Sequence, residues 1–105
     1  MKNIQLTCAH ALVKFLTAQK TLIDGKKEPL FPGVFGIFGH GNVACLGQAL
    51  QENQKKLPTW RGHHEQNMAL TGIAYSRAKR RKQIFVATSS VGPGSTNMIT
   101  AAAVA

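Results

Sequence analysis

Acidic residues are scarce in this chain of 105 residues, which holds 4 Asp and Glu against 13 Lys and Arg and carries a formal net charge of +9. No apolar run approaches the roughly 18 residues that a membrane helix needs. The first residues, Met1–Thr7, lack the continuous apolar stretch of a secretory signal. We therefore expect a cytoplasmic protein without a membrane partner. An apolar content of 44% is typical of a globular protein and excludes a disordered one.

Cysteine is equally scarce, since Cys8 and Cys45 are the only two in the chain. Both fall in helix-like patterns, where we interpret them as free thiols and small apolar core residues rather than as a disulfide. The cysteines and histidines show no pair-and-pair spacing of the zinc kind. We therefore expect no metal ligands in this chain.

The basic excess is concentrated in three clusters, at residues 79–82, 26–27 and 55–56. Such an excess could attract nucleic acid. However, each cluster follows a helical pattern, where basic residues compensate the helix macrodipole. No recognised nucleic-acid motif is present, and aromatic residues do not alternate with the basic ones. We favour the structural explanation and expect no nucleic-acid partner.

Apolar periodicity predicts alternating helices and strands. A first helix over residues 7–19, which Thr7 can cap, has an apolar stripe made of Cys8, Ala11, Leu12, Phe15 and Leu16. Residues 24–32 indicate a polar connector. The predicted strands, each paired with the helix that follows it, are 34–37 with 43–53, 58–60 with 65–79, and 84–88 with 95–105.

This order predicts an α/β fold with a partial open parallel sheet and flanking helices. In the helix 43–53 we expect the inward residues to be Val43, Leu46, Gly47 and Leu50. The length allows one domain at most, residues 1–105. A sheet covered on both faces usually needs about 150 residues, and the helical pattern continues to Ala105 without a glycine or proline stop. We therefore expect the domain to be incomplete at its C-terminus.

Three unusual loops follow the predicted strands, at Phe38–Asn42, Gly62–Gln66 and Ser89–Asn97. In an open parallel sheet, the loops that leave the carboxyl ends of the strands gather on one edge, where ligands bind. The third loop places Gly92–Gly94 before a helix start, so it presents backbone N–H groups that a ligand can approach closely. It is neither a Walker A loop nor a GxGxxG fingerprint. By itself it indicates either a polar ligand or a tight capped turn.

Glu65 and His40 are the two side chains at this edge that could perform chemistry. Glu65 occupies the first turn of the helix 65–79, where an ordinary carboxylate would compensate the dipole. That helix has little charge and many small residues, which indicates burial, and a buried carboxylate must be paired or share a proton. His40 lies between two glycines. It either projects into the crevice as an acid, base or hydrogen-bond donor, or is a surface histidine in a flexible turn.

Three segments in order, Val34–Asn42, His64–Ala69 and Thr88–Asn97, resemble the N-terminal, pyrimidine-binding domain of thiamine-diphosphate enzymes. Acetolactate synthase, pyruvate decarboxylase and glyoxylate carboligase share this pattern, and the resemblance extends from Thr7 to Ala105. Within the family, Gly36–Leu50 is most similar to the trihydroxycyclohexane-1,2-dione hydrolases, which open a ring by C–C hydrolysis in myo-inositol catabolism. Acetolactate synthase-like and glyoxylate carboligase-like enzymes are the alternatives.

The resemblance implies roles for the residues at the sheet edge. Glu65 matches the family glutamate that hydrogen-bonds N1′ of the aminopyrimidine. This bond favours the 4′-imino tautomer, which removes the C2 proton of the thiazolium. A buried glutamate with a raised pKa could share the proton at N1′. His40 would orient the diketone substrate or transfer a proton. The residues expected along the pyrimidine and thiazolium are Gly92, Pro93, Gly94 and Asn97.

The resemblance also implies partners. The family's Gly-Asp-Gly motif, which holds Mg²⁺ and the diphosphate, belongs to a separate domain, and Asp24-Gly25 in this chain is only a turn. We expect half of a thiamine diphosphate site, inactive alone and completed by a diphosphate-binding domain or a second subunit in a dimer or tetramer. A non-catalytic protein-association fragment, which docks through the helix 65–79, is the alternative from another functional class.

Overall fold

A parallel sheet of three strands organises the chain. In the computed structural model, which describes residues 2–105, the strands are β3 (Val34–Gly36), β4 (Thr59–Arg61) and β5 (Val86–Thr88). Their spatial order is β4–β3–β5, so β3 is the central strand. Val34 pairs with Thr59 on one side and with Val86 on the other. The predicted α/β fold with a partial open parallel sheet is confirmed.

The helices follow the predicted order with shifted ends, except that the predicted helix 95–105 is divided into two short helices, Pro93–Thr96 and Ile99–Val104. Among residues 2–105, none of them combines the length and apolar character that crossing a bilayer requires. A π-helical turn, Val43–Gly47, leads directly into α2. The α-helices are α1 (Cys8–Ala18), α2 (Gln48–Glu52), α3 (Glu65–Ala78), α4 (Pro93–Thr96) and α5 (Ile99–Val104).

Helices cover both faces of the sheet. Because side chains alternate along a strand, Val34 and Phe35 point to opposite faces. Val34 joins a buried cluster with residues of α1 and α2. Phe35 stacks on Phe85 with ring centroids 4.7 Å apart, and Tyr75 of α3 meets Phe85 edge-on at the same distance. The buried cluster consists of Val13, Leu16, Val34, Ala49, Leu50 and Leu57.

The apolar stripe predicted for α1 is largely wrong. Leu16 is buried, but its inward neighbour is Val13, which is fully buried. α1 carries apolar residues around most of its circumference, so spacing alone did not determine which stripe meets the sheet. The other members of the predicted stripe are exposed, and they are Cys8, Ala11, Leu12 and Phe15.

Residues of the predicted polar connector form a β-hairpin instead. Strand β1 (Lys20–Ile23) pairs antiparallel with β2 (Lys26–Pro29). The two turn residues, Asp24 and Gly25, have φ values of 51° and 79°. Positive φ at both central residues is the type I′ geometry, which suits the twist of a two-residue hairpin. The Asp-Gly turn was predicted, but its flanking residues are too polar to indicate strands.

The predicted inward face of the helix 43–53 is also partly wrong. Leu50 is buried, but Val43 is 61% exposed. The Gly47 N–H donates to the carbonyl oxygen of Asn42, five residues earlier, at 2.6 Å. This π-helical turn contains one residue more than an α-helical turn, so it rotates Val43 away from the face that Leu50 occupies.

Both cysteines are free thiols, as predicted. Their predicted core role is wrong, because the side chains of Cys8 and Cys45 are exposed. Cys8 is the first residue of α1 and Cys45 lies in the π-helical turn. Both positions fall on surfaces that the sheet does not cover.

We predict that the contact between α1 and α2 depends on pH. His10 Nε2 lies 2.7 Å from Glu52 Oε2, and this hydrogen bond is the main cause that lowers the pKa of Glu52. A group whose pKa is lowered in the folded state stabilises the fold when the pH is above its unfolded-state pKa. This stabilisation is lost as the pH falls through the folded-state pKa. Glu52→Gln should therefore lower the melting temperature slightly at neutral pH. At a pH below the folded-state pKa of Glu52, the substitution should leave the melting temperature unchanged. Thermal unfolding across pH, with Glu28→Gln as control, tests this, and equal shifts at both pH extremes would contradict it.

A second prediction concerns the turn after α3. Arg80 and Arg81 have φ values of 53° and 63°, in the left-handed region that favours glycine. A side chain in this region costs roughly 1–2 kcal/mol, which the greater chain entropy of glycine partly offsets. Arg81→Gly should raise the free energy of unfolding by about 1 kcal/mol. Lys82→Gly is the control, because it removes the same charge at a residue without positive φ, and it should lower the free energy of unfolding. The prediction is refuted if denaturant unfolding shows Lys82→Gly to be more stable than Arg81→Gly.

Candidate functional site

The predicted gathering of loops on one edge of the sheet is confirmed. The loops after β3 and β5 touch, because Asn42 Nδ2 donates to the Ser89 carbonyl at 3.2 Å. Gly39 approaches Ser90 so closely that a Cβ at residue 39 would lie 2.6 Å from the Ser90 Cβ. The glycine at residue 39 thus allows these two loops to pack without a gap.

Glu65 joins the second and third loops. It is the first residue of α3, directly after the loop that leaves β4. Asn97, which follows α4, donates a hydrogen bond from Nδ2 to Glu65 Oε2 at 3.0 Å. The Glu65 side chain is half-buried rather than fully buried. The carboxylate therefore has one oxygen held by an amide.

Gly94 brings backbone against the other carboxylate oxygen. A Cβ at residue 94 would lie 3.1 Å from Glu65 Oε1 and would overlap Ser90 Oγ. Gly92, two residues earlier, has φ 69° and also needs glycine. Pro93 begins α4 at a position where its missing N–H costs nothing. This segment accordingly forms a tight turn whose backbone lies next to the carboxylate.

An open depression of about 850 Å³ lies over this turn. It brings together each residue that the sequence predicted to bind a cofactor. Ser90 and Thr96, which were not predicted, complete its lining. The lining residues are Glu65, Ser90, Gly92, Pro93, Gly94, Thr96 and Asn97.

His40 lies outside this group. It follows β3 on the same edge of the sheet, but its side chain is exposed and it does not line the depression. In the described part of the chain, no hydrogen bond joins His40 to Glu65 or Asn97. Its proposed contact with a substrate stays a prediction.

Residues 7–105 match the family model described as thiamine pyrophosphate enzyme, N-terminal TPP binding domain. The chain belongs to this family. It is 54% identical over 105 residues to the 3D-(3,5/4)-trihydroxycyclohexane-1,2-dione hydrolase of Geobacillus thermodenitrificans (strain NG80-2). It is 52% identical over the same length to the enzymes of that name from Bacillus thuringiensis (strain Al Hakam) and Bacillus cereus (strain 03BB102). In each comparison the whole chain is covered, but it spans only 16% of the relative's length.

The residues of the depression fit the pyrimidine end of thiamine diphosphate. A protonated or hydrogen-bonded ring nitrogen needs a carboxyl partner, which Glu65 provides at the lining of the depression, and the turn is open at Gly92, where a Cβ would meet nothing within 4 Å. A diphosphate with its magnesium ion instead needs several oxygen ligands. Among residues 2–105, no three His, Cys, Asp or Glu side chains lie together as a metal site would require.

In this chain alone the pKa of Glu65 is lowered, whereas the raised pKa was expected for a buried carboxyl in a site that a partner completes, and that expectation stays a prediction. The hydrogen bond from Asn97 is the main influence and lowers the pKa of Glu65 below its usual value. The Glu65 backbone N–H and the nearby His64 act in the same direction. Desolvation raises the pKa, but it is outweighed because the carboxyl borders an open depression. The carboxylate is consequently the favoured form.

His64 is a site residue that sequence reasoning missed. Its Nδ1 accepts a hydrogen bond from the Asn67 N–H at 3.3 Å and so caps α3. Its Nε2 lies 3.3 Å from Asn97 Nδ2. The available signal was its position immediately before the first residue of the helix, where a side-chain acceptor satisfies a free N–H.

We predict that Asn97→Ala raises the pKa of Glu65 toward its ordinary value, because it removes the strongest hydrogen bond to the carboxylate. The pKa is measured by following the carbon-13 shift of the Glu65 carboxyl across pH. Asn3→Ala makes the same change in an exposed segment and should leave the pKa unaltered. An unchanged titration in Asn97→Ala would show that this hydrogen bond does not control the carboxyl.

Proposed function

We propose that this chain supplies the pyrimidine-binding half of the thiamine diphosphate site in a ring-opening hydrolase that acts on trihydroxycyclohexane-1,2-dione in inositol catabolism. The observation that carries the proposal is the Glu65 carboxylate, held by Asn97 against the backbone of Gly94. The names of the relatives at 52–54% identity support the hydrolase over the acetolactate synthase-like and glyoxylate carboligase-like alternatives.

The residues of this chain would bind and orient rather than form covalent bonds. When bound, thiamine diphosphate supplies an electron sink for carbon–carbon cleavage. Glu65 holds a proton in a hydrogen bond with the N1′ nitrogen of the pyrimidine, and Asn97 fixes the direction of the carboxyl. Gly92, where a Cβ would meet nothing within 4 Å, leaves space for a flat ring beside the turn, and Gly94 allows the turn to approach Glu65 closely. His40, exposed on the same edge, orients the diketone or transfers a proton.

A diphosphate-binding region would complete the site. We propose that it lies outside this chain, holds the Mg²⁺ ion and belongs to a second subunit of a cytoplasmic homo-oligomer. The small share of the relatives' length that the chain spans supports this proposal. Exposed apolar side chains on α1 also support a covering partner, since Leu12 and Phe15 are 47% and 59% exposed.

A chimeric enzyme tests the proposal. This chain replaces the matching 105 residues of the Geobacillus thermodenitrificans relative, and ring opening is measured with saturating thiamine diphosphate and Mg²⁺. The chimera should be active. Glu65→Gln should lower kcat/KM by about 10²- to 10⁴-fold, because an amide cannot carry the shared proton.

Glu28→Gln is the matched control, because it makes the same change at a carboxylate of β2 that does not line the depression, and it should leave activity unaltered. An inactive chimera that still folds and binds thiamine diphosphate would refute the hydrolase assignment. An active chimera that tolerates Glu65→Gln would refute the role of Glu65.

A further inference from the structure

Asn97 stands between an imidazole and a carboxylate. Its Nδ2 lies 3.3 Å from His64 Nε2 and 3.0 Å from Glu65 Oε2. The other imidazole nitrogen, His64 Nδ1, accepts the Asn67 N–H at 3.3 Å. A continuous row of hydrogen-bonding groups thus runs from the backbone of α3 through the imidazole and the amide to the Glu65 carboxyl.

The protons in this row do not fit together when Glu65 is a carboxylate and the cap on α3 is kept. Because Nδ1 of His64 accepts from Asn67, the neutral ring must carry its proton on Nε2. That N–H would then face the NH₂ group of Asn97, and two donors cannot bond each other. The amide cannot turn over either, because its oxygen would then face the Glu65 carboxylate.

Two arrangements satisfy the contacts of Asn97 with both His64 and Glu65, and they differ in the proton on Glu65. In the first, Glu65 is a carboxylate, the Asn97 NH₂ donates to it and to His64 Nε2, and the proton of the ring moves to Nδ1. The long cap bond from Asn67 is then lost, while the charge-assisted bond to Glu65 is kept. In the second, Glu65 is protonated and donates to the Asn97 oxygen, which also accepts from His64 Nε2–H, and the cap on α3 is intact.

We propose that His64 and Asn97 are positioning residues that satisfy Glu65 in either protonation state, with the Asn97 amide and the His64 tautomer switching together when Glu65 gains or loses its proton. The inference rests on the proposed function, because a carboxyl that shares a proton with a ring nitrogen must be held in both forms. The geometry itself is a property of this chain without cofactor.

Few other ionisable groups face the row. The side chains that line the depression with Glu65 are Ser90, Pro93, Thr96 and Asn97, all uncharged. His64 is the titratable neighbour that acts on Glu65. On its other side, His64 borders a second pocket that also contains Arg61 and His63. Arg61 and His63 are unchanged in variants at residues 65 and 97. Differences in the His64 tautomer among such variants therefore report the hydrogen bonds between His64, Asn97 and residue 65.

Nitrogen-15 NMR of the histidine rings tests the switch. Measurements are made at alkaline pH, where imidazole rings are neutral, and the His64→Gln spectrum assigns the signals. In the unaltered chain, the shifts should report the proton on Nδ1. In Glu65→Gln the side-chain oxygen keeps the bond from the residue-65 backbone N–H, so the NH₂ group faces Asn97 as the donor of a protonated carboxyl would. The Asn97 amide should then turn over and the His64 shifts should interchange, with the proton on Nε2.

Asn97→Ala removes the link between the two residues. Without the amide, the cap bond alone sets the ring, so the proton should lie on Nε2 with either Glu or Gln at residue 65. The proposal would be overturned if His64 had the same tautomer in the unaltered chain and in Glu65→Gln. It would also be overturned if Glu65→Gln still changed the His64 tautomer in a chain that carries Asn97→Ala.

The NMR result and the chimera result separate this inference from the proposed function. An unchanged tautomer together with a chimera that requires Glu65 would overturn the positioning role alone. A switching tautomer in a chain whose chimera ignores Glu65→Gln would overturn the proposed function alone.

Discussion

The close approach of Gly94 to the Glu65 carboxyl is the constraint on which the site depends. With no Cβ at residue 94, the turn after β5 lies against the first residue of α3, where a side chain would come within 3.1 Å of Oε1. Asn97 then reaches Oε2 from the same segment. Two loops that are separate in the sequence thus place one acid beside bare backbone. The central position of β3 keeps these loops on one edge of the sheet.

The electrostatic state of Glu65 follows from the balance between hydrogen bonding and exposure. Asn97 and the backbone at the start of α3 favour the carboxylate, and desolvation opposes them. Any surface that closes over the depression strengthens desolvation, which is the influence that raises the pKa. The same residue can therefore be a carboxylate in this chain and hold a proton in a closed site. The raised pKa was expected for a carboxyl buried by a partner, and the carboxyl of this chain alone is only half-buried.

Strong local signals made much of the fold predictable. Val34, Val86 and their neighbours are apolar runs of strand length, and Thr7 is an N-cap whose hydroxyl accepts the His10 N–H at 3.1 Å. Errors arose where local patterns were ambiguous. α1 is apolar on several sides, the strands flanking Asp24-Gly25 are polar, and the π-helical turn before α2 changes the phase of the helix by one residue. None of these features leaves a clear mark in residue spacing.

The sequence by itself determined the α/β class, the order of the three parallel strands and the helices that follow them, the family and the residue types at the sheet edge. These follow from local periodicity, glycine positions and the order of motifs. Only the tertiary structure decided that Asn97 holds Glu65, that His64 joins them, and that His40 lies apart. Such contacts join residues about 30 positions apart in the chain, and their distances depend on how α3 and the turn after β5 pack on the sheet. Local preferences do not specify that packing, because it arises from the burial of both sheet faces together.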